Sequence, residues 1–312
     1  MAIRTIAVFN ASSRQGLAQL RALREQGYDA VAISRNPRLI AGEGLDGLRI
    51  VAADTADPVA VGRALDDVDA VFFQLPLLAG PDQLERAAET VAAAARRAGI
   101  ARFIHNSTMW SPDDRCGEAT YDHVRRIERI IESHDLPHTI FRPTLFMDNW
   151  LTAYALPLLR TQRLYRYPHK PTLRFSPIAL DDLARFMVAA LSAPQTIGRR
   201  YRVAGPETLT PPDVRAILSD AIGAEIAYEY QSPADFAAYT YDHFIHATGI
   251  PRDLYIAGFS AFYSFNNEAD EQPFQFDVTP VLAELPIELE SFAGWAARQD
   301  WSAGGRSASV TD

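Results

Sequence analysis

The first half of the chain alternates short apolar runs with stretches of helical periodicity, and this alternation limits the fold more than any other feature. Ile3–Phe9, Ala30–Ile33, Leu48–Ala52, Ala70–Phe73, Arg102–His105 and His138–Phe141 read as strands. Residues 16–26, 82–98 and 121–133 carry the spacing of helices, and Gly27 and Gly99 supply stops for the first two. The strands are apolar nearly throughout, as strands are when helices cover both faces of a sheet. Strand–helix alternation implies parallel strands joined by right-handed crossovers. The expected fold class is therefore α/β, a doubly wound parallel sheet, which takes ligands beyond the carboxyl ends of its strands.

The second half is less regular. Pro157, Pro168 and Pro171 interrupt 151–171. Residues 174–191 read as a strand followed by a helix beginning near Asp181 and Asp182, and Arg200–Ala204 as a further strand that rejoins the sheet. Thr210 before Pro211 is a helix start, a cap followed by proline in the first turn. The expected organisation is a larger domain of 1–150 plus about 174–206. A smaller, mainly helical domain of about 151–173 plus 207–300 follows, with 301–312 as a tail lacking fixed structure.

A chain of 312 residues, 48% hydrophobic and 22% charged, has ample material for a core. The net charge of −9 argues against direct nucleic-acid binding. No apolar run is long enough to span a bilayer, and the amino terminus enters a strand pattern at once. With a single cysteine, Cys116, the chain forms no internal disulfide, and a reducing cytoplasmic setting is expected.

The segment after the first strand is Asn10-Ala-Ser-Ser-Arg-Gln-Gly16. It sits where a dinucleotide fold carries three glycines, for a tight turn, close approach to pyrophosphate and close helix–strand packing. Only the third, Gly16, is present. Asn10 tolerates the left-handed backbone the first position needs. Ser13 brings a Cβ toward the phosphate position and a hydroxyl able to donate to it. The following helix offers free amides and a positive dipole end. A plain strand–helix turn without a ligand is the competing reading. The second strand ends in Ser34-Arg35-Asn36-Pro37, where an NAD-type domain has an acid for the ribose 2′-hydroxyl. An arginine fork suits a 2′-phosphate instead, with Arg14 and Arg38 as helpers. A solvated surface arginine is the alternative.

Together these segments resemble the NmrA-like family of atypical short-chain dehydrogenase/reductases. Supporting segments are Asp54, Val68–Phe72, Ile127-Glu128, Leu136–Pro143, Phe146–Asn149, Ile178–Ala184 and Ala204–Thr210, so the likeness runs over roughly residues 3–300. The resemblance implies a Rossmann-type domain, a smaller domain and a cleft between them. It implies pyrophosphate at Asn10, Ser12, Ser13, Arg14, Gln15 and Gly16, the 2′-phosphate of NADP(H) at Arg35, and adenine near Asp54. Gln74, Leu75, Pro76 and Ser107 would line the ribose and nicotinamide, with Pro143 and Phe146 against the ring.

Members of the wider superfamily pair a tyrosine acid with a lysine four residues on, which lowers the tyrosine pKa. The only lysine here is Lys170, and four residues before it stands Arg166, so the dyad is absent. Counted back from Glu128, the lysine position falls on Val124 and the tyrosine position on Thr120. Tyr121 and His123 are the substitute candidates, against the plainer reading of His123 as a polar helix residue. Hydride transfer to a quinone or conjugated carbonyl needs little beyond positioning, since solvent can protonate the product. Trp110, Met147, Tyr241, Phe262 and Tyr263 are expected either to wall a flat aromatic substrate pocket or to form helix-packing core. His243 and His246 lack a third ligand, so no metal is expected.

The leading expectation is an NADP(H)-dependent reductase of a small aromatic, quinone-like or conjugated carbonyl substrate. A non-catalytic NADP(H) redox sensor acting through a protein partner stands against it, and a cofactor-free lyase or isomerase is a third reading. A protein partner or homodimer is left open.

Overall fold

The computed structural model of the chain describes residues 3–40, 44–45, 47–76, 80–270 and 272–302. All six strands expected in the first half form. In chain order the elements are β1 (Thr5–Phe9), α1 (Arg14–Glu25), β2 (Asp29–Ser34), β3 (Arg49–Ala52), α2 (Pro58–Ala64), β4 (Ala70–Phe73), α3 (Pro81–Ala98), β5 (Arg102–Asn106), α4 (Ala119–Ser133) and β6 (His138–Pro143). Helices α1 and α4 begin two residues before their apolar periodicity does, because Ser13 and Glu118 cap them. Helix α2, too short to show periodicity, is marked by the cap-then-proline pair Asp57-Pro58.

The second half adds β7 (Leu164–Tyr167), α5 (Leu180–Leu191), β8 (Arg199–Val203), α6 (Pro211–Ile222), β9 (Ala227–Tyr230), α7 (Pro233–Thr240), α8 (Arg252–Glu268), α9 (Thr279–Glu284) and α10 (Phe292–Ala297). The large sheet has seven strands in the order β3-β2-β1-β4-β5-β6-β8, and every pairing is parallel. The 200–204 segment therefore does rejoin the sheet, beside β6.

Side chains alternate across this sheet with a period of two. Ile6, Val8, Ala70, Phe72 and Ile104 face a cluster built with α1 and α5. Ala7, Phe9, Val71, Phe73 and Phe103 face the opposite cluster, built with α2, α3 and α4. Continuing the alternation, His105 falls on the α3–α4 side and stacks on Phe73, while Asn106 falls on the α1 side and bonds Gln15.

No strand forms at 174–178, contrary to the sequence expectation. Pro177 has no N–H to give a ladder, and the segment makes two single bridges instead, Phe175 to Leu209 and Ile178 to Phe146. The Ala204-Gly-Pro segment has a steric origin. A Cβ on Gly205 would lie 1.9 Å from the Pro177 carbonyl oxygen, so only glycine lets the two backbones meet.

A third cluster forms from 145–175 and 209–301, around Trp150, Tyr165, Tyr167, Phe236 and Trp295. The short parallel pair β7–β9 frames it, and register partners Arg166 and Glu229 form a two-point ion pair across the strands. Trp301, expected to belong to the tail, is buried and donates its indole N–H to the Ala296 carbonyl. The remainder of that tail, 303–312, lies outside the described residues.

His169 is fully buried in this cluster, ringed by Tyr167, Phe175, Tyr263 and Phe274, and neither of its ring nitrogens has a hydrogen-bond partner among the described residues. Burial pushes its pKa down to about 3, and burial likewise lowers His105 to about 4. Both are therefore neutral in the fold, whereas an unfolded histidine titrates near 6.5. Their stabilising share is complete above about 6.5 and is lost as the pH falls toward 4 and then 3. Asp182, raised to about 6 by burial, works in the opposite sense between about 4 and 6. Urea denaturation at pH 7.5 and pH 5 is expected to show an acid-side loss on the order of a few kcal/mol. The loss should shrink in His169→Phe, which keeps the aromatic packing without the ionisable ring. An undiminished loss in that variant would assign acid sensitivity elsewhere.

Candidate cofactor and substrate site

The turn after β1 has the backbone a glycine position requires. Asn10 sits at φ 53°, in the left-handed region that asparagine tolerates. Its carbonyl accepts from the Ser13 amide at 3.1 Å and the Ser13 hydroxyl at 2.8 Å. Ser13 itself has φ −72° and caps α1, accepting from the Gly16 amide at 3.1 Å. Ser13 therefore carries no left-handed backbone strain. Its hydroxyl, expected to be free for a phosphate, is instead bound within the turn, because an uncapped helix start would leave the Gly16 amide unsatisfied.

Gly16 holds the helix against the turn. A Cβ there would stand 2.5 Å from the Asn10 carbonyl oxygen and 2.6 Å from the Ala11 Cα. Below the turn lies a buried amide network joining the ends of β1, β4 and β5. Gln74 receives Gln19 at 2.6 Å and Asn106 at 3.3 Å, and donates toward the Phe9 carbonyl and Ser13. Asn106 also donates to Gln15 and accepts from the Thr108 amide. Every member spans two elements, so the network fixes the turn on the strand ends.

The arginines divide. Arg35, at the end of β2, is exposed and makes no hydrogen bond or ion pair among the described residues. Arg14 is turned the other way and donates to the Asp148 carbonyl, so the expected helper ties α1 to the segment after β6. Ser12 meets Ser34 at 2.9 Å, joining the first turn to the end of β2. Asp54 is exposed after β3 and accepts from the Ala56 amide in a local turn.

At the ends of β4 and β5, Leu75, Pro76 and Ser107 line a cavity of about 240 Å³ together with Leu84, His105, Thr120, His123, Val124 and others of α3 and α4. Ser107 donates to the Met109 and Phe141 carbonyls, which closes the loop after β5. Helix α4 is locked to β6 by a buried two-point pair, Arg142 with Glu128, at 2.9 and 2.5 Å. Thr120 and Val124, counted from that same Glu128, therefore both line the cavity. His123 lines it too, with Glu85 at 3.7 Å, and burial with Arg126 nearby lowers its pKa.

Tyr121 does not reach the cavity. One residue out of register on α4 means a rotation of about 100°. Its side chain is fully buried against Trp110, Phe262 and Phe265, and its hydroxyl donates to Asn266 of α8 at 2.6 Å. Burial drives its pKa far upward. It is a strut between α4 and α8, and as a proton donor to the cavity it is misplaced.

The residues expected to wall an aromatic pocket separate into three places. Trp110 and Phe262 flank Tyr121, with the Arg202 guanidinium 5.2 Å above the Trp110 ring. Met147 and Tyr263 are buried in the third cluster. Tyr241 packs on Tyr255 and donates to the Ile250 carbonyl. None of the five lines the cavity. Pro143 ends β6 beside Val203, and Phe146 is buried against Ile178. His243 is exposed and bonded to the Tyr239 carbonyl. Among the described residues no cluster of three or more metal-ligating side chains forms, and no helix is long and apolar enough to cross a membrane. The cavity-lining His105 was missed in the sequence, where it is one more residue of a buried strand.

The sequence pattern of the NmrA-like family matches residues 3–295. A (4-alkanoyl-5-oxo-2,5-dihydrofuran-3-yl)methyl phosphate reductase of Streptomyces griseus is 32% identical over 63% of this chain and 67% of its own. An NAD(P)H azoreductase of Xenophilus azovorans is 27% identical over 72% of this chain and 76% of its own. The crystal structure of an NADPH-dependent quinone oxidoreductase from Escherichia coli, complexed with NADPH, superposes with a TM-score of 0.73 at 20% identity. It covers 94% of this chain and 98% of that one, a likeness of fold.

Two substitutions test this geometry. Gly16→Ala pushes α1 off the turn and is expected to cost about 1–3 kcal/mol, read as a fall in melting temperature by calorimetry. Tyr121→Phe removes the Asn266 bond and is expected to cost about 1 kcal/mol. An unchanged melting temperature in either would deny the contact.

Proposed function

The chain belongs to the NmrA-like family, and on that footing we propose that it is an NADP(H)-dependent reductase of a small aromatic, quinone-like or conjugated carbonyl acceptor. Arg35 carries the cofactor reading. A guanidinium at the end of β2, exposed and without a partner among the described residues, fits a 2′-phosphate and disfavours the plain 2′-hydroxyl of NAD(H). The left-handed turn at Asn10 and the close contact at Gly16 suit a pyrophosphate on the α1 amino terminus. Ser12, Ser13, Arg14 and Gln15 complete that cradle, Ser13 and Arg14 by holding it rather than by touching phosphate. Asp54 would lie by the adenine. Gln74, Leu75, Pro76, Ser107, Pro143 and Phe146 would frame the ribose and nicotinamide. Residues 1–150 with 174–206 form the cofactor domain in this reading, and 151–173 with 207–300 the substrate domain.

When bound, NADPH supplies a hydride, and an acceptor that also takes one proton from water leaves reduced by two electrons. Without a lysine-activated tyrosine, the chain's own contribution is positioning and exclusion of water. The amide network under the first turn keeps the strand ends rigid, and the apolar wall of Leu75, Leu84, Val124 and Ile127 keeps the neighbouring cavity dry. A second reading, a redox sensor that binds NADP(H) without turnover and answers to a protein partner, draws on Thr120 and Val124 standing where a catalytic pair would. Failure to oxidise NADPH with any quinone, enone or azo acceptor would favour it.

Titration of NADPH and NADH fluorescence is expected to give at least ~10-fold tighter NADPH binding, about 1.4 kcal/mol. Arg35→Ala should weaken NADPH selectively. Equal affinities in the parent chain would refute the cofactor assignment.

A further inference from the structure

The cavity between α3 and α4 has an unusual donor set for a polar cofactor fragment. Apart from its two histidines its wall is largely apolar, and its described lining holds no Asp, Glu, Lys or Arg. Of the other polar groups there, all but the Thr108 hydroxyl are already committed. Asn106 serves Gln15 and Gln74, Ser107 serves two carbonyls, and Thr120 donates to Glu118. Two imidazoles are not committed. His105 is 2% exposed, and its Nδ1 lies 3.1 Å from the Phe73 carbonyl. A carbonyl can only accept, so Nδ1 carries the proton and Nε2 is left as an acceptor without a partner among the described residues. His123 is 8% exposed and makes no hydrogen bond with the described residues. The Glu85 carboxylate lies 3.7 Å from its Nε2 and is itself paired with the exposed Arg126.

We propose that this cavity is the acceptor subsite, and that it admits only uncharged, flat ligands whose carbonyl or hydroxyl oxygen is met by His105 and His123. The proposal rests on the reductase reading and adds to it the charge of the substrate and the residues that hold it. At about 240 Å³ the cavity lies below the usual range for drug-sized ligands, which limits the acceptor to one or two fused rings. An anionic acceptor would meet no cation in the described lining, with the nearby Glu85 carboxylate and Arg126 guanidinium taken up by each other, and a buried unpaired charge is strongly disfavoured. Leu75, Pro76 and Ser107 belong both to this lining and to the proposed nicotinamide frame, whereas Gln74, Pro143 and Phe146 of that frame do not line the cavity, so the proposal sets the acceptor beside the ring rather than in its place.

The test is calorimetric binding of 1,4-naphthoquinone and its 2-sulfonate to the full chain, with and without NADP+, in a Cys116→Ser background that prevents thiol addition. The neutral quinone should bind at least ~100-fold more tightly than the sulfonate. Val124→Lys should narrow that gap ~10-fold by placing a cation in the wall, and His123→Leu should weaken the neutral quinone ~10-fold. Three results overturn the proposal: equal affinity for the two quinones, displacement of the neutral quinone by NADP+, and no binding of the neutral quinone at all. Unaltered affinity in both His123→Leu and His105→Phe removes the histidines from it. The NADPH fluorescence titration is independent of all these, so failure of the reductase reading is seen separately.

Discussion

Because side chains on a strand point alternately to opposite faces, a parallel sheet covered on both sides sends each successive residue into a different environment. The rest of this structure follows from that constraint. In β5, Phe103 and His105 go to the α3–α4 side and Ile104 and Asn106 to the α1 side. One strand end thus supplies the first turn with an amide and the cavity with an imidazole. A one-residue slip of β5 would exchange them, leaving a charged-state-sensitive ring under the turn and an unsatisfied amide in an apolar wall.

The amide network also accounts for how a glycine-poor turn is kept. Asn10 occupies the left-handed position, Ser13 caps the helix, and Gly16 alone is held to glycine by backbone contacts. Gln19, Gln74 and Asn106 then tie the turn to three strands. The loss of two glycines changes which groups face outward without changing the path of the chain.

Some of the site was legible from spacing alone. Arg35 at the end of a predicted strand, Gly16 opening a predicted helix, and the lack of any lysine near Glu128 are local facts. Tyr121 shows where local reasoning fails. It stands one residue past the tyrosine position counted from Glu128, but 100° of helix rotation delivers it to Asn266, 145 positions away in sequence. Arg14, read as a turn residue before a helix at 16–26, instead opens α1, and its partner is Asp148. The aromatic residues of 239–265 have the composition of a pocket wall and go instead to several packing clusters, because ring faces satisfy one another as readily as they satisfy a ligand.

By itself the sequence determined the strand–helix order, the left-handed asparagine, the one indispensable glycine of the first turn and the absence of a Tyr/Lys pair. Each depends on residues within a few positions of one another, where backbone sterics and periodicity act directly. Only the tertiary structure decided that His105 and His123 share one cavity, that Tyr121 is a strut, and that Gly205 must clear the Pro177 carbonyl. Those outcomes hang on which elements pack together, and that choice is made by the burial of whole faces rather than by any single residue.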